Sequence, residues 1–346
     1  MDFPQSISFT LTNACNLRCR MCGQWSEEGY VRADKQRIRH ELSLADWKRL
    51  VDELGEHGVP GLLLRGGETF MFPGIIELLD YIHAKDMSIS IDTNGTMLKQ
   101  YAAEIVKIGK IHLTISMDGP EEVHDLIRGV KGTFKRVSEG VAAIHAEEAR
   151  QGIKISLSLN FTICAESYRH MSALPDIARS MGIGVVCIVP YYYIPEHVGR
   201  AYELEMQKQF GCPAYSWVGF HHETSGIDFD IFSQQLHQYQ ANLGEVYSYP
   251  YMAFSEDDYR QWFADATTQV WPLPCSNVEK LIDIQPDGRA NFCVDFPDFS
   301  FGNVREATME QLWNSSEAER FRQYRRQKHL GVCYRCGGRY MSAIGG

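Results

Sequence analysis

The chain has 346 residues, of which 44% are hydrophobic and 23% are charged, and its formal net charge at neutral pH is −10. This length allows a large core in two domains or in one barrel with an appended segment, and the acidic balance gives no general reason to expect binding to nucleic acid or to an anionic membrane. The first residues lack a signal-peptide pattern and no apolar run is long enough for a membrane span, so we expect a cytoplasmic protein whose ten cysteines serve metal binding or catalysis rather than disulfides.

Short β-rich runs alternate with amphipathic stretches over the first 190 residues. Ser43 and Asp46 have the spacing of a capping box and predict a helix that runs to about Glu56, and a second helix is predicted over 75–84. This alternation predicts parallel βαβ units, in an open sheet or a barrel, with the chemistry at the carboxyl ends of the strands. The six predicted strands are 6–11, 61–65, 88–92, 111–116, 154–160 and 184–190.

Three cysteines, Cys15, Cys19 and Cys22, follow the first predicted strand with C-x₃-C-x₂-C spacing. Thiolates are the usual protein ligands of a cubane iron–sulfur cluster, and three of them leave one iron open to bind a small molecule. A zinc knuckle with a fourth ligand, or buried cysteines without metal, would explain the same residues. Zinc sites usually use paired C-x₂₋₄-C modules, so the spacing favours a cluster. We expect Trp25, just beyond, to pack rather than to cover the cluster.

Distinctive residues also follow the second and fourth predicted strands. Glycines at Gly66 and Gly67 permit close approach of the backbone to a ligand, and the carboxylate of Glu68 can receive an ammonium group. Ser116 and Arg128 together offer a hydroxyl and a guanidinium, which suit a carboxylate. Each feature alone is weak evidence for a binding site. A Gly-Gly turn before a helix, for example, is common.

The composition changes after the sixth predicted strand. About 75 residues rich in aromatics, His and Gln follow, with helices predicted over 229–240 and 256–264. From Trp271 onward we predict a hairpin around a Pro286-Asp287-Gly288 turn and then two helices. The predicted segments are therefore a barrel over 1–195, an aromatic-rich helical connection over 196–270 and a C-terminal domain over 271–346. Within the C-terminal domain, the predicted strands are 281–284 and 290–294, and the predicted helices are 308–313 and 316–327.

Together these features resemble the radical S-adenosylmethionine (SAM) superfamily over roughly residues 5–195. The cysteine run matches its C-x₃-C-x-Φ-C motif, with Met21 where many members have an aromatic residue, and Gly66-Gly67-Glu68 match its GGE motif. Residues 116–129 resemble the SxDG…HDxxRG stretch of its peptide- and sugar-modifying branch. The resemblance implies a partial (β/α)₆ TIM-like barrel with a [4Fe–4S] cluster that binds SAM.

The resemblance also implies roles for the residues that match. Gly66, Gly67 and Glu68 would hold the amine of SAM, and Ser116 and Arg128 would hold its carboxylate. An electron from the cluster would cleave SAM to methionine and a 5′-deoxyadenosyl radical. The protein would contribute placement and exclusion of water.

Four further cysteines, Cys275, Cys293, Cys333 and Cys336, surround the predicted hairpin. A zinc ribbon also fits a hairpin joined to a C-x₂-C pair. The Cys-x₁₂-Gly-x₄-Cys spacing resembles the SPASM/Twitch extension of the superfamily, and too few cysteines remain for the two clusters of a full SPASM domain. The resemblance therefore implies a Twitch domain of a β-hairpin plus helices with one auxiliary [4Fe–4S] cluster. Four thiolates saturate its irons, so we expect it to transfer electrons.

We therefore predict a radical SAM oxidoreductase that abstracts hydrogen from an unactivated C–H bond of a biosynthetic substrate, either a small metabolite such as a sugar or aminoglycoside, or a peptide. A flavodoxin- or ferredoxin-type reductant is the expected partner. Tyr191, Tyr193 and Asp295 are predicted to line the substrate space, and Cys212 is a candidate hydrogen donor for an epimerisation. The alternatives are a maturase that crosslinks or epimerises ribosomal peptides, and an iron–sulfur carrier or scaffold without catalysis. A carrier would explain the cysteines but not Gly66-Gly67-Glu68.

Overall fold

The computed structural model describes residues 3–249 and 251–340, and ten strands within them form one sheet. The order across the sheet is β10-β9-β8-β1-β2-β3-β4-β5-β6-β7. β1 to β6 are neighbours in chain order and pair in parallel, which confirms the predicted α/β class with a parallel sheet of the partial-barrel type. The strands are β1 (Ser6–Thr10), β2 (Gly61–Arg65), β3 (Ser88–Thr93), β4 (Ile111–Ser116), β5 (Ser156–Ile163), β6 (Val185–Pro190), β7 (Tyr247–Tyr249), β8 (Leu281–Ile284), β9 (Arg289–Asn291) and β10 (Gly302–Asn303).

Helices connect the parallel strands, as the alternation of sequence patterns predicts. None of the helices within 3–249 and 251–340 is long and apolar enough to cross a lipid bilayer. The α-helices are α1 (Tyr30–Ala33), α2 (Leu44–Glu56), α3 (Ile75–Ala84), α4 (Leu98–Ile108), α5 (Glu121–Arg128), α6 (Thr133–Gln151), α7 (Leu174–Ser180), α8 (Glu196–Phe210), α9 (Phe229–Asn242), α10 (Glu256–Ala264), α11 (Asn277–Lys280), α12 (Met309–Trp313) and α13 (Ser316–Gln327).

Local signals account for the boundaries of several elements. The predicted capping box is present at α2, where the Ser43 amide donates to Asp46 Oδ2 at 2.8 Å and the Asp46 amide donates to Ser43 Oγ at 3.2 Å. The fifth strand begins and ends later than predicted, because apolar residues continue to alternate with polar ones as far as Ile163.

The two faces of the parallel sheet differ in chemistry. Apolar residues such as Phe9, Leu64 and Ile91 are fully buried, and the ring of Phe9 lies 4.9 Å from that of Trp47 in α2. This face is therefore the one that the helices cover. The residues that alternate with them along β1 to β5 are mostly polar and form the opposite, inner face of the sheet.

The C-terminal hairpin continues the barrel sheet. β8 pairs in parallel with β1, with Ser8 opposite Asp283, and β8 and β9 form the predicted hairpin. At the other edge β7 pairs in parallel with β6, with Cys187 opposite Tyr249. The sequence interpretation gave only helices to the segment that contains β7, so this strand is an addition. Both cysteine-bearing regions of the chain consequently belong to one continuous sheet.

Candidate active site and cluster-binding loops

The loop with the first three cysteines follows β1 and docks on the end of α5. The amide of Arg18 donates to the carbonyl of Arg128 at 3.1 Å, and the amide of Arg20 donates to that of Ile127 at 3.0 Å. Gly129 ends α5 with a φ of +70°, and a Cβ there would lie 2.5 Å from the Arg18 carbonyl oxygen. Glycine is therefore required at this position by both backbone conformation and close approach.

The three thiols are shielded and close enough to influence one another. Cys19 is 8% exposed, and Cys15 and Cys22 are half-buried. Burial, with a smaller contribution from the charges of Cys19 and Cys22, raises the pKa of Cys15 to about 12. Such thiols become thiolates only beside a compensating cation, so their chemistry fits ligation of a metal centre.

The thiols of the two sets do not have the spacing of ligands around a single zinc ion. Sulfur ligands of one tetrahedral zinc, each about 2.3 Å from the metal, stand about 3.8 Å apart. Across residues 3–249 and 251–340, three candidate ligand atoms within 4.8 Å of one another occur only at Glu196, His221 and Glu223, a set without cysteine. Neither cysteine set is therefore drawn together around one ion.

Arg128 is fixed beside the first cysteine set. Its Nε donates to Asp118 Oδ2 at 2.6 Å, and its Nη1 donates to Cys19 Sγ at 3.7 Å. The amide of Asp118 donates to His124 Nδ1 at 3.1 Å, and burial lowers the pKa of His124 to about 3, which keeps the imidazole a neutral acceptor. Asp118 and His124 thus orient the guanidinium toward the cluster-binding loop. Ser116, the other predicted SAM contact, ends β4 opposite Asn160 on the inner face.

The Gly66-Gly67-Glu68 segment pairs with the backbone just before Cys15. The Gly67 amide donates to the Thr12 carbonyl at 2.7 Å, and a Cβ on Gly67 would lie 2.3 Å from the Ala14 carbonyl oxygen. This approach explains the glycine and fixes the cysteine loop relative to β2.

The Glu68 carboxylate has an internal role that the sequence interpretation missed. It is 1% exposed and accepts from the Phe70 amide at 3.1 Å, the Thr93 hydroxyl at 2.7 Å and the Asn94 amide at 2.7 Å. These bonds hold the turn after β3, whose Asn94 side chain lies 4.0 Å from Cys15 Sγ. The predicted contact of Glu68 with the SAM amine stays a prediction.

The three tyrosines after β6 differ in their hydrogen-bond partners. Tyr193 donates to the carbonyls of Trp262 and Phe263, at 2.9 and 3.2 Å, so its hydroxyl is used in packing on α10. The predicted place of Tyr193 in the substrate space stays a prediction. Tyr192, which the sequence analysis does not name, donates to Asp295 at 3.1 Å. Side chains alternate between the two faces of the sheet only as far as the end of β6. The positions of Tyr192 and Tyr193 in the sequence therefore do not predict which groups each hydroxyl contacts. Tyr191 is buried, and its hydroxyl has no partner among the described residues.

The three cysteines outside the two sets are mainly packing residues. Cys164 and Cys187 are buried, as predicted for small hydrophobic side chains. Cys212 is half-buried after the end of α8, where the adjacent Phe210 packs on Phe321 of α13 with ring centroids 5.1 Å apart. The structure thus puts Cys212 beside the C-terminal helices, and its predicted role as a hydrogen donor stays a prediction. Trp25 is buried and donates to the Asn13 carbonyl, and Cys15 and Cys22 pack against the small apolar cluster that it forms with Tyr30 and Val31.

The four C-terminal cysteines also form an interacting group. Burial, together with the charges of Cys333 and Cys275, raises the pKa of Cys336, and burial with the charge of Cys336 raises that of Cys293. Arg325 of α13 is 3% exposed, interacts with the charges of Cys333 and Cys275 and keeps a buried Nη1 without a partner in the described part of the chain. An orphaned donor beside thiols fits an acceptor such as the sulfide of a cluster.

Comparison with known proteins agrees with this geometry. Residues 9–159 match the family model of the radical SAM superfamily, and residues 275–337 match that of SPASM, an iron–sulfur cluster-binding domain. Together the two models cover more than half of the chain. The SPASM match supports iron–sulfur chemistry over a zinc ribbon, and the number of auxiliary clusters stays a prediction.

Two curated relatives and one solved structure illustrate the likeness. The chain is 26% identical to Fe-coproporphyrin III synthase of Methanosarcina barkeri, over 95% of this chain and 80% of that protein. It is 23% identical to the antilisterial bacteriocin subtilosin biosynthesis protein AlbA of Bacillus subtilis, over 99% and 69%. Streptococcus suis SuiB bound to SAM has the same fold, with a TM-score of 0.61 and 16% identity over 100% of this chain and 75% of SuiB. The chain contains a radical SAM domain followed by a C-terminal SPASM iron–sulfur cluster-binding domain and is a radical SAM enzyme.

Proposed function

We propose that this enzyme cleaves SAM reductively and uses the resulting 5′-deoxyadenosyl radical to abstract hydrogen from an unactivated C–H bond of a peptide, in a net oxidation. The observation that carries the proposal is the surroundings of the first cysteine set: Arg128 and Asn94, rather than a fourth thiol, lie beside Cys19 and Cys15 in the described chain. Cys15, Cys19 and Cys22 would hold a [4Fe–4S] cluster there, which would supply the electron and a site for the amino acid part of SAM.

The roles of the residues around this loop follow from their chemistry. The guanidinium of Arg128, held by Asp118, is suited to receive the carboxylate of SAM, and Ser116 offers a hydroxyl at the end of β4. Gly66 and Gly67 let the backbone before Cys15 approach the end of β2 closely, which positions the cysteine loop. Trp25 shields the loop from water, which protects a reactive radical from side reactions.

A peptide is the first substrate class to test. The relatedness to AlbA extends over nearly the whole of this chain and supports this choice over a sugar or aminoglycoside. The test is anaerobic incubation of the reconstituted enzyme with dithionite, SAM and candidate precursor peptides. We expect 5′-deoxyadenosine and a peptide product that has lost two hydrogen atoms, both detected by mass spectrometry. An iron–sulfur carrier would form no 5′-deoxyadenosine, and a sugar-modifying enzyme would leave every peptide unchanged.

The iron content distinguishes the proposed arrangement from a zinc-containing one. If both cysteine sets hold a four-iron cluster, the reconstituted enzyme contains about eight irons per chain, and a single cluster gives about four. Colorimetric iron analysis with parallel zinc determination makes this measurement. A stoichiometric zinc content in the C-terminal domain would contradict an auxiliary cluster.

Arg325 supports an electron-accepting role for that auxiliary cluster. A buried cation beside the ligands stabilises the reduced, more negative state and so raises the reduction potential. We expect Arg325→Met to shift the potential of the auxiliary cluster to a more negative value, measured by redox titration with electron paramagnetic resonance. Arg326→Met is the matched control, because Arg326 is the next residue of α13 and its exposed guanidinium pairs with Glu279 and Glu319. Equal shifts in both variants would contradict a specific effect of Arg325.

A further inference from the structure

The inner face of the sheet is unusually polar for buried parallel strands. Strands of a parallel sheet that is covered on both faces are normally apolar throughout. Here only the face against the helices follows that rule. Polar side chains occupy the inner face from β1 to β5, with Leu63 as an apolar exception, and comprise Ser8, Thr10, Arg65, Ser90, Asp92, His112, Thr114, Ser116, Ser158 and Asn160. Most of those on β2 to β5 are half-buried rather than fully buried, which is typical of residues that line a space open to water or to a ligand.

Arg65 is the one cation of this inner face apart from the titratable His112. It ends β2 opposite Thr10, directly before Gly66, and is half-buried. Its guanidinium makes no hydrogen bond or ion pair with any residue of 3–249 or 251–340. Arginine carries five donors and keeps its charge in proteins, so donors left without protein partners inside a fold are available to a ligand.

The acidic groups around Arg65 act on it from beyond ion-pair distance. Burial opposes its charge, but Asp295, Asp92 and Asp283 outweigh burial and raise the pKa of Arg65. These carboxylates have other partners. Asp283 accepts from Thr10 and Gln285, and Asp295 accepts from Tyr192. Asp92 lies opposite Thr114 of β4. They therefore keep the guanidinium charged without occupying its donors.

The position of Arg65 relates it to both cysteine sets. Through Gly66 and Gly67 it adjoins the segment that pairs with the residues before Cys15. Asp295, its strongest charged neighbour, follows Cys293 by two residues in the C-terminal domain. A ligand held by Arg65 would thus lie against the inner face of the sheet, between the SAM-binding loop and the auxiliary domain.

We propose that Arg65 is a substrate-binding residue that anchors a carboxylate of the substrate through its guanidinium. This inference rests on the proposed function for the identity of the reaction and adds the chemical class of the group that is recognised. A planar guanidinium binds a carboxylate with two parallel hydrogen bonds, which fixes orientation as well as position. That geometry would present one particular C–H bond to the radical.

Malonate is the probe for this site. It is titrated calorimetrically into the full, anaerobically reconstituted enzyme saturated with SAM, with malonamide and inorganic phosphate as parallel probes. We expect malonate to bind the wild-type enzyme at least tenfold more tightly than Arg65→Met, and malonamide to bind neither. Arg65→Lys should give an intermediate affinity, because it keeps the charge and loses the fork. Arg200→Met, which removes an exposed guanidinium on α8, should match the wild type.

Equal malonate affinity in wild type and Arg65→Met, or Arg65-dependent binding of phosphate without binding of malonate, would overturn the proposal. Iron content and circular dichroism of each variant show that it has folded and loaded, and Arg65→Lys carries the comparison if Arg65→Met does not. Formation of 5′-deoxyadenosine by the wild-type preparation is measured separately. Its absence would contradict the proposed function, whereas malonate binding that is independent of Arg65 would contradict only the carboxylate site.

Discussion

Replacement of Cys19 by alanine is expected to abolish formation of 5′-deoxyadenosine, whereas replacement of Cys275 should leave part of it. Cys19 is one of three thiols in the loop after β1 and is contacted by Arg128, so its loss removes a ligand and the partner of the guanidinium. Cys275 belongs to the C-terminal set, which is not required for an electron to reach SAM from dithionite through the first cluster. The product is quantified chromatographically after anaerobic incubation with SAM and dithionite.

The matched control is Cys164→Ala, a buried packing cysteine outside both sets, which should retain wild-type iron and wild-type cleavage. Each of the two ligand variants should lose roughly half of the iron, because one of two clusters is affected. Equal loss of 5′-deoxyadenosine in Cys19→Ala and Cys275→Ala would contradict the separate roles of the two cysteine sets.

The second large effect is expected at Arg128. Asp118 is fully buried, and Arg128 is 7% exposed and donates to it at 2.6 Å. Arg128→Met would leave the Asp118 carboxylate buried without its counter-charge, which costs about 3–5 kcal/mol of stability when one partner of a buried ion pair is removed. We also expect SAM cleavage to be lost. Urea denaturation of the iron-free protein measures the first effect, and 5′-deoxyadenosine formation measures the second.

The double variant Asp118→Asn with Arg128→Met separates the two roles of the arginine. It removes both charges, so stability should recover by more than half of the loss in the single variant. SAM cleavage should stay low, because no guanidinium remains beside Cys19. Recovery of cleavage together with stability would show that Arg128 acts only in folding.

Much of the barrel is predictable because its signals are local. The capping box at Ser43 and the short apolar strand after Gly61 are each encoded within a few residues, and the structure has α2 and β2 where these patterns predict them. The pairing of β8 with β1 joins residues about 275 positions apart. No local pattern specifies such a partner, so the continuity of the hairpin with the barrel was not predicted.

The site residues also divide into those that a local motif identifies and those whose roles depend on contacts between strands. Motif spacing identified both cysteine sets, and the structure brings Arg128 to Cys19. The internal bonds of Glu68 depend on the turn after β3, a contact across strands that its own motif does not contain. Arg65 is one charged residue at the end of an apolar strand, and the sequence alone assigns it no ligand. The proposed role of Arg65 becomes visible only when the pairing of the neighbouring strands shows that it lies on the same polar inner face as their side chains.

The shared sheet has a consequence for how the enzyme can vary. β1 carries the first cysteine loop at one end and has β8, the start of the auxiliary hairpin, as its lateral neighbour. Deletion of the C-terminal region would remove β8 from its place beside β1. The backbone N–H and C=O groups of β1 would then be unpaired along an exposed strand edge, which favours self-association. The loop after β1 and the start of the C-terminal hairpin are therefore joined by backbone hydrogen bonds of one sheet.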